Sequence, residues 1–99
     1  MSFRVRFTLE AKSDLERLYS FLAEHDLGAA ERALEIIDRS WSMLEEFPFS
    51  CRRPEETDPF LRELLISFGD AGYIALFEVD DDHTVTVLAV RHQREDDYH

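Results

Sequence analysis

The stretch Thr84–Val90 reads Thr-Val-Thr-Val-Leu-Ala-Val. Successive side chains of a strand point to opposite faces, so a half-buried strand alternates apolar and polar residues. This one starts with that alternation and then turns apolar on both faces, the pattern of a central strand covered above and below. The rest of the chain must therefore supply strands for both of its edges and cover for both of its faces.

Strands are available on either side. Phe3, Val5 and Phe7 alternate with Arg4, Arg6 and Thr8, which predicts a strand over Phe3–Phe7. Leu61–Phe68 and Tyr73–Val79 predict two more, joined by the turn Gly69-Asp70-Ala71-Gly72, and Asp80-Asp81-Asp82-His83 turns the chain into Thr84–Val90. Between the first strand and the others the apolar spacing becomes helical. Ala11, Leu15, Leu18, Tyr19 and Leu22 form one stripe, with Lys12, Asp14, Glu16 and Arg17 facing away. Ala30, Ala33, Leu34, Ile37, Trp41 and Leu44 form another.

Thr8 and Asp26 are suited to cap the two helices, Ala11–Leu22 and Ala30–Leu44. The connection at Asp26-Leu27-Gly28 is so short that the helices must form an antiparallel hairpin. Pro48 ends the second, and the Pro-containing stretch Phe49 to Pro59 reads as a surface loop. The order β-α-α-β-β-β predicts an α+β fold, a helical hairpin packed on a small, mainly antiparallel sheet. Residues 1–99 are expected to form one domain, with Trp41 and Leu44 buried against the sheet. A hairpin covers one face only, so a partner chain is expected on the second.

Composition narrows the function. A chain of 99 residues supports one core. No apolar run reaches the length of a membrane span, and the start, Met-Ser-Phe-Arg-Val-Arg-Phe, lacks the pattern of a signal peptide. Cys51 is alone, which suits a reducing cytoplasm. The net charge of −11 opposes a broad nucleic-acid surface and favours basic partners. Asp80-Asp81-Asp82-His83 lacks the spacing and turn glycine of a calcium loop, and Glu55, Glu56 and Asp58 read as solvated loop acids, so no metal or cofactor is expected.

Arg4, Arg6 and Arg62 serve either salt bridges or a local anion site. The richest group closes the sequence: Arg91, His92, Arg94 and Tyr98. His92 suits proton transfer near neutral pH, an Arg suits charge building on a phosphorane, and Tyr98 suits stacking on a base or giving a proton. These are parts for attack of an RNA 2′-hydroxyl on its own phosphate. Equally, Arg94 can pair with Glu95 or Asp97 while Tyr98 packs on the core.

The segments FRVRFTLEAKSDLERLYSFL and LRELLISFGDAGYIALFEVDDDHTVTVLAVRHQREDDY resemble the RelE/ParE toxins of bacterial type II toxin–antitoxin systems, also described as plasmid stabilisation proteins. The resemblance is carried by Ala11 with Asp14-Leu15, by Leu61-Arg62-Glu63-Leu64, by Gly72-Tyr73, and by Val90-Arg91-His92 followed by Tyr98. It implies a toxin held inactive by a cognate antitoxin whose C-terminal segment wraps it, which would cover the second face of the sheet. The RelE branch is similar to ribosome-dependent messenger-RNA endonucleases; the ParE branch inhibits DNA gyrase without an evident catalytic centre.

Where the ribonuclease branch carries basic residues, this sequence has Leu65, Ser67, Gly69 and Ile74. An Arg of that branch aligns with His92, and its late Tyr with Tyr98. The resemblance therefore favours a ParE-like toxin with Arg62, Arg91, His92, Arg94 and Tyr98 as target contacts. Under the ribonuclease alternative His92, Arg94 and Tyr98 are catalytic, with ribosome and messenger RNA as partners. A third reading is a non-toxic copy that only binds an antitoxin.

Overall fold

A computed structural model describes residues 2–54 and 58–94. The elements are β1 (Arg4–Phe7), α1 (Leu9–His25), α2 (Leu27–Glu46), a single 3-10 turn at Pro48–Ser50, β2 (Leu61–Phe68), β3 (Ala71–Val79) and β4 (Thr84–His92). This is the expected order, with both helices longer by a few residues at each end. The sheet order is β1-β4-β3-β2, with β1 parallel to β4 and the other pairs antiparallel. The strand that is apolar on both faces is thus interior.

Both caps form as the residue types dictate. Thr8 Oγ1 accepts from the Ala11 amide at 3.0 Å, and Asp26 Oδ1 accepts from the Ala29 amide at 3.0 Å. Asp26 is the only residue between the helices, in extended conformation (φ −160°), so it ends α1 and starts α2 at once. The hairpin lies over one face of the sheet, where Leu44, Phe77, Val85, Val87 and Val90 are sealed from solvent. Trp41 keeps part of its surface in water. Its ring meets Phe7 edge-on at 5.1 Å, so it borders the core rather than filling it.

One bulge gives β4 its double-sided character. Pairing with β3 steps from Leu76↔Ala89 to Phe77↔Val87, which leaves Leu88 as the extra residue. The step lets both Val87 and Val90 face the helices, while Ala89 and Ile74 are buried on the opposite face. The β2–β3 turn is tighter than the sequence suggests. Phe68 pairs with Ala71, leaving only Gly69-Asp70 in the loop, with Gly69 at φ 64° as a primed two-residue turn requires. Gly72 has φ 153°, and a Cβ there would stand 2.0 Å from the Ile66 carbonyl oxygen. Among the described residues no helix is long and apolar enough to cross a membrane.

Candidate functional site

The site grows out of a mismatch in strand length. β1 has four residues and covers Thr84 to Val87 of β4; β4 then runs on to His92 with no strand at that edge among the described residues. Exposed strand edges leave backbone donors and acceptors unpaired. Here the start of α1 fills the gap. The Thr8 amide donates to Val87 O at 3.0 Å, and its hydroxyl donates to Leu88 O at 3.1 Å. Next along, Asp14 Oδ2 accepts from the Val90 amide at 2.9 Å, and its other oxygen lies 3.7 Å from Arg17 Nη2.

Asp14 is 3% exposed, which corrects the expectation that it faces solvent with Lys12 and Glu16. The signal was present in the spacing: Ala11, Asp14 and Leu18 are the buried residues of α1 and lie at i, i+3 and i+7. The aspartate sits on the apolar stripe because it stands in for the missing strand.

At the end of β4 lies an open groove of about 760 Å³ between α1 and the β2–β3 hairpin. Leu18, Leu22, Phe21, Phe68 and Tyr73 give it an apolar, aromatic surface, with Arg17, His92, Arg94 and Asp70 among the other residues around it. His92 stands opposite Tyr73 in register, and their rings meet edge to face at 5.5 Å. The Arg94 amide donates to His92 Nδ1 at 3.1 Å, so a neutral His92 carries its proton on Nε2. The Gln93 amide donates to Gly72 O at 2.9 Å and holds the chain at the groove mouth. Burial pushes the Tyr73 hydroxyl pKa up, which makes it a poorer proton donor.

The expected site residues do not all converge. His92 and Arg94 share the groove. Arg91 pairs with Ile74 and so faces the opposite side of the sheet, as strand alternation requires. Arg62 pairs with Phe77, four residues along β3 from Tyr73, so it is displaced from His92 by roughly 13 Å along the strands, at a rise of about 3.3 Å, and by two strands across the sheet. Its guanidinium donates to the carbonyls of Pro59, Phe49 and Cys51. Tyr98 lies outside the described residues. Arg4 and Arg6 are exposed on the face away from the helices and form no ion pair among the described residues.

The described groove thus offers cations around an aromatic surface, which suits an anionic group carried on an apolar or flat body. Among the described residues no three His, Cys, Asp or Glu side chains are placed to hold a metal ion. Burial raises the Cys51 thiol pKa despite the nearby Arg62, so that thiol is a weak nucleophile.

Fold and groove together define a small α+β protein whose sheet opens at one end into a cation-lined cleft. The chain belongs to the ParE toxin family of type II toxin–antitoxin systems: the family described as "ParE toxin of type II toxin-antitoxin system, parDE" matches residues 5–97. It is 32% identical over 79 residues to Toxin RelE1 of Caulobacter vibrioides, covering 80% of this chain and 82% of that protein. With Toxin RelE3 of the same organism it shares 32% identity over 85 residues, 86% of this chain and 88% of the relative. A solved structure described as the chromosomal ParDE TA system from P. aeruginosa matches with a TM-score of 0.74 at 20% identity, over 92% of this chain and 96% of that one. That last likeness is one of fold.

Proposed function

We propose that this toxin acts by contact, inhibiting DNA gyrase in the cytoplasm, and is neutralised by a cognate antitoxin. The observation that supports this most is on the sheet face away from the helices. Leu65 and Ser67 of β2 and Ile74 of β3 occupy the positions where the resemblance expects the cations of a ribonuclease. Leu65 is 49% exposed, and Ile74 is 5% exposed beside Arg91. The β2–β3 part of this face thus lacks those cations; its arginines are Arg4, Arg6 and Arg91 on β1 and β4, and on a chain of net −11 such a face gains less from the phosphates of messenger RNA than one carrying the full set. The same face suits an antitoxin segment, apolar against Leu65 and acidic against Arg4 and Arg6.

Induction of the protein alone in a bacterial host tests the reading, with DNA-damage signalling and messenger integrity followed in parallel. We expect filamentous cells, a damage response and intact messages. Rapid cleavage of messages at ribosomal positions without that response overturns it. Absence of toxicity despite good expression assigns the chain to antitoxin binding alone. Co-expression with the neighbouring gene product should give a stable complex.

A second reading, a RelE-like endonuclease, is favoured by the meeting of His92 and Arg94 at one groove and by the names of the two Caulobacter relatives. Single substitutions separate the two. Contact residues lose binding in graded steps, whereas His92→Ala in a nuclease lowers the cleavage rate by about 10²–10⁴-fold with binding retained.

A further inference from the structure

At the end of the sheet remote from the groove, Phe47 (60%), Phe49 (50%) and Phe60 (51%) stand half exposed or more. Phe49 and Phe60 meet edge to face with centroids 6.3 Å apart, and the Arg62 guanidinium lies 5.3 Å over the Phe49 ring. Three carbonyls hold that guanidinium in place. The aromatic pair is therefore ordered before any partner arrives, which lowers the entropy lost on binding. Single exposed apolar residues need no explanation. A stiffened aromatic pair with a stacked arginine has the composition of an interface hot spot.

The acids around the pair outnumber its arginines: Arg62 is engaged by carbonyls, Arg52 pairs with Glu63 at 2.9 Å, and Arg53 is the remaining exposed cation of this loop among the described residues. Asp58 accepts the Phe60 amide at 3.0 Å. Glu78 stands opposite Leu61, and burial, a hydrogen bond with Asp80 and the charges of Asp80 and Asp58 push its carboxyl pKa up. Glu45 and Glu46 are exposed just before Phe47. Arg17 and Arg94 lie at the other end of the molecule, at the groove.

We propose that this patch docks a basic protein segment in which bulky apolar side chains are flanked by Lys or Arg. Nucleic acid lacks the positive charge these acids call for. A second copy of the chain carries the same acids and the same net −11, so self-association is opposed. The surface is separate from the groove and does not depend on which target the toxin attacks.

The test titrates the intact, isotope-labelled protein with a synthetic peptide alternating Lys or Arg with Phe and Leu. A second peptide keeps the cations and replaces each apolar residue by Gly. We expect amide shifts centred on Phe49, Phe60 and Leu61, and affinity at least tenfold below the parent for Phe49→Ala/Phe60→Ala. Leu9→Ala, at a still more open apolar residue, should leave binding unchanged. Glu45→Lys/Glu46→Lys keeps the aromatic pair intact and should weaken binding most at low salt. Equal binding of the Gly peptide, or shifts centred on His92 and Arg94, overturns the proposal. So does a concentration-dependent dimer that Phe49→Ala/Phe60→Ala abolishes, since that makes a second copy the occupant.

Discussion

Replacing Asp14 by Ala tests the claim that a helix side chain completes the β4 edge. The Val90 amide it serves belongs to a residue with 0% exposure, so water does not replace the lost acceptor. A buried donor left unpaired costs about 1–3 kcal/mol, and bonds to charged groups lie toward the upper end. Relief from burying a carboxylate offsets part of this, which leaves a loss of about 2 kcal/mol. At roughly 4–8 °C per kcal/mol for a domain of this size, the midpoint should fall by about 8–16 °C. Asp14→Asn keeps an acceptor oxygen and should lose less than half as much. Urea and thermal unfolding measure both variants, and hydrogen exchange at the Val90 amide should accelerate in the Ala variant before the protein as a whole loosens. An Ala variant within about 0.5 kcal/mol of the parent, or an Asn variant no better than Ala, refutes the strand-substitute argument.

The two β-hairpin glycines should separate cleanly. Gly69→Ala meets nothing within 4 Å and carries only the left-handed backbone penalty, about 1–2 kcal/mol, whereas Gly72→Ala drives a Cβ into the Ile66 carbonyl and should leave little folded protein by circular dichroism. Arg62→Lys cannot reach three carbonyls with a planar fork and should lower stability by about 1–3 kcal/mol in urea unfolding, without change at the remote groove. Glu78 sets a pH dependence. Its raised pKa means the folded chain holds that proton more tightly than the unfolded one, so its contribution is full below the ordinary glutamate range and is lost as pH rises through the raised value. Glu78→Gln should therefore be the more stable protein at pH 7, with the gap closing in acid; a gap that widens in acid shows the sign to be wrong.

Element order was legible in the sequence because it rests on local periodicity, and the central place of β4 followed from its two apolar faces. What depends on distant backbone was not. Asp14 reads as a surface acid until the four-residue length of β1 shows which amide lacks a partner 76 residues away. The Leu88 bulge leaves no trace in the pattern of Val-Leu-Ala-Val beyond its broken alternation. Arg62 reads as a salt-bridge partner or part of an anion site because its three acceptors are main-chain carbonyls, which carry no sequence signature. Arg91 and His92 read as one cluster because they are neighbours in sequence, yet period two sends them to opposite faces.

The parallel pairing of β1 with β4 also governs when the molecule can exist. Thr8 and Leu88 are 80 residues apart, and neither β1 nor the buried carboxylate of α1 has its partner until β4 has been synthesised. Contacts this distant close large loops before they return any stabilisation, which slows folding and leaves the nascent hairpin with an uncovered apolar face. Translation up to the end of β3 yields α1 without β4, the strand it packs on most closely. The complete fold is therefore reached only late in synthesis, and until then the chain exposes apolar surface that a chaperone can hold.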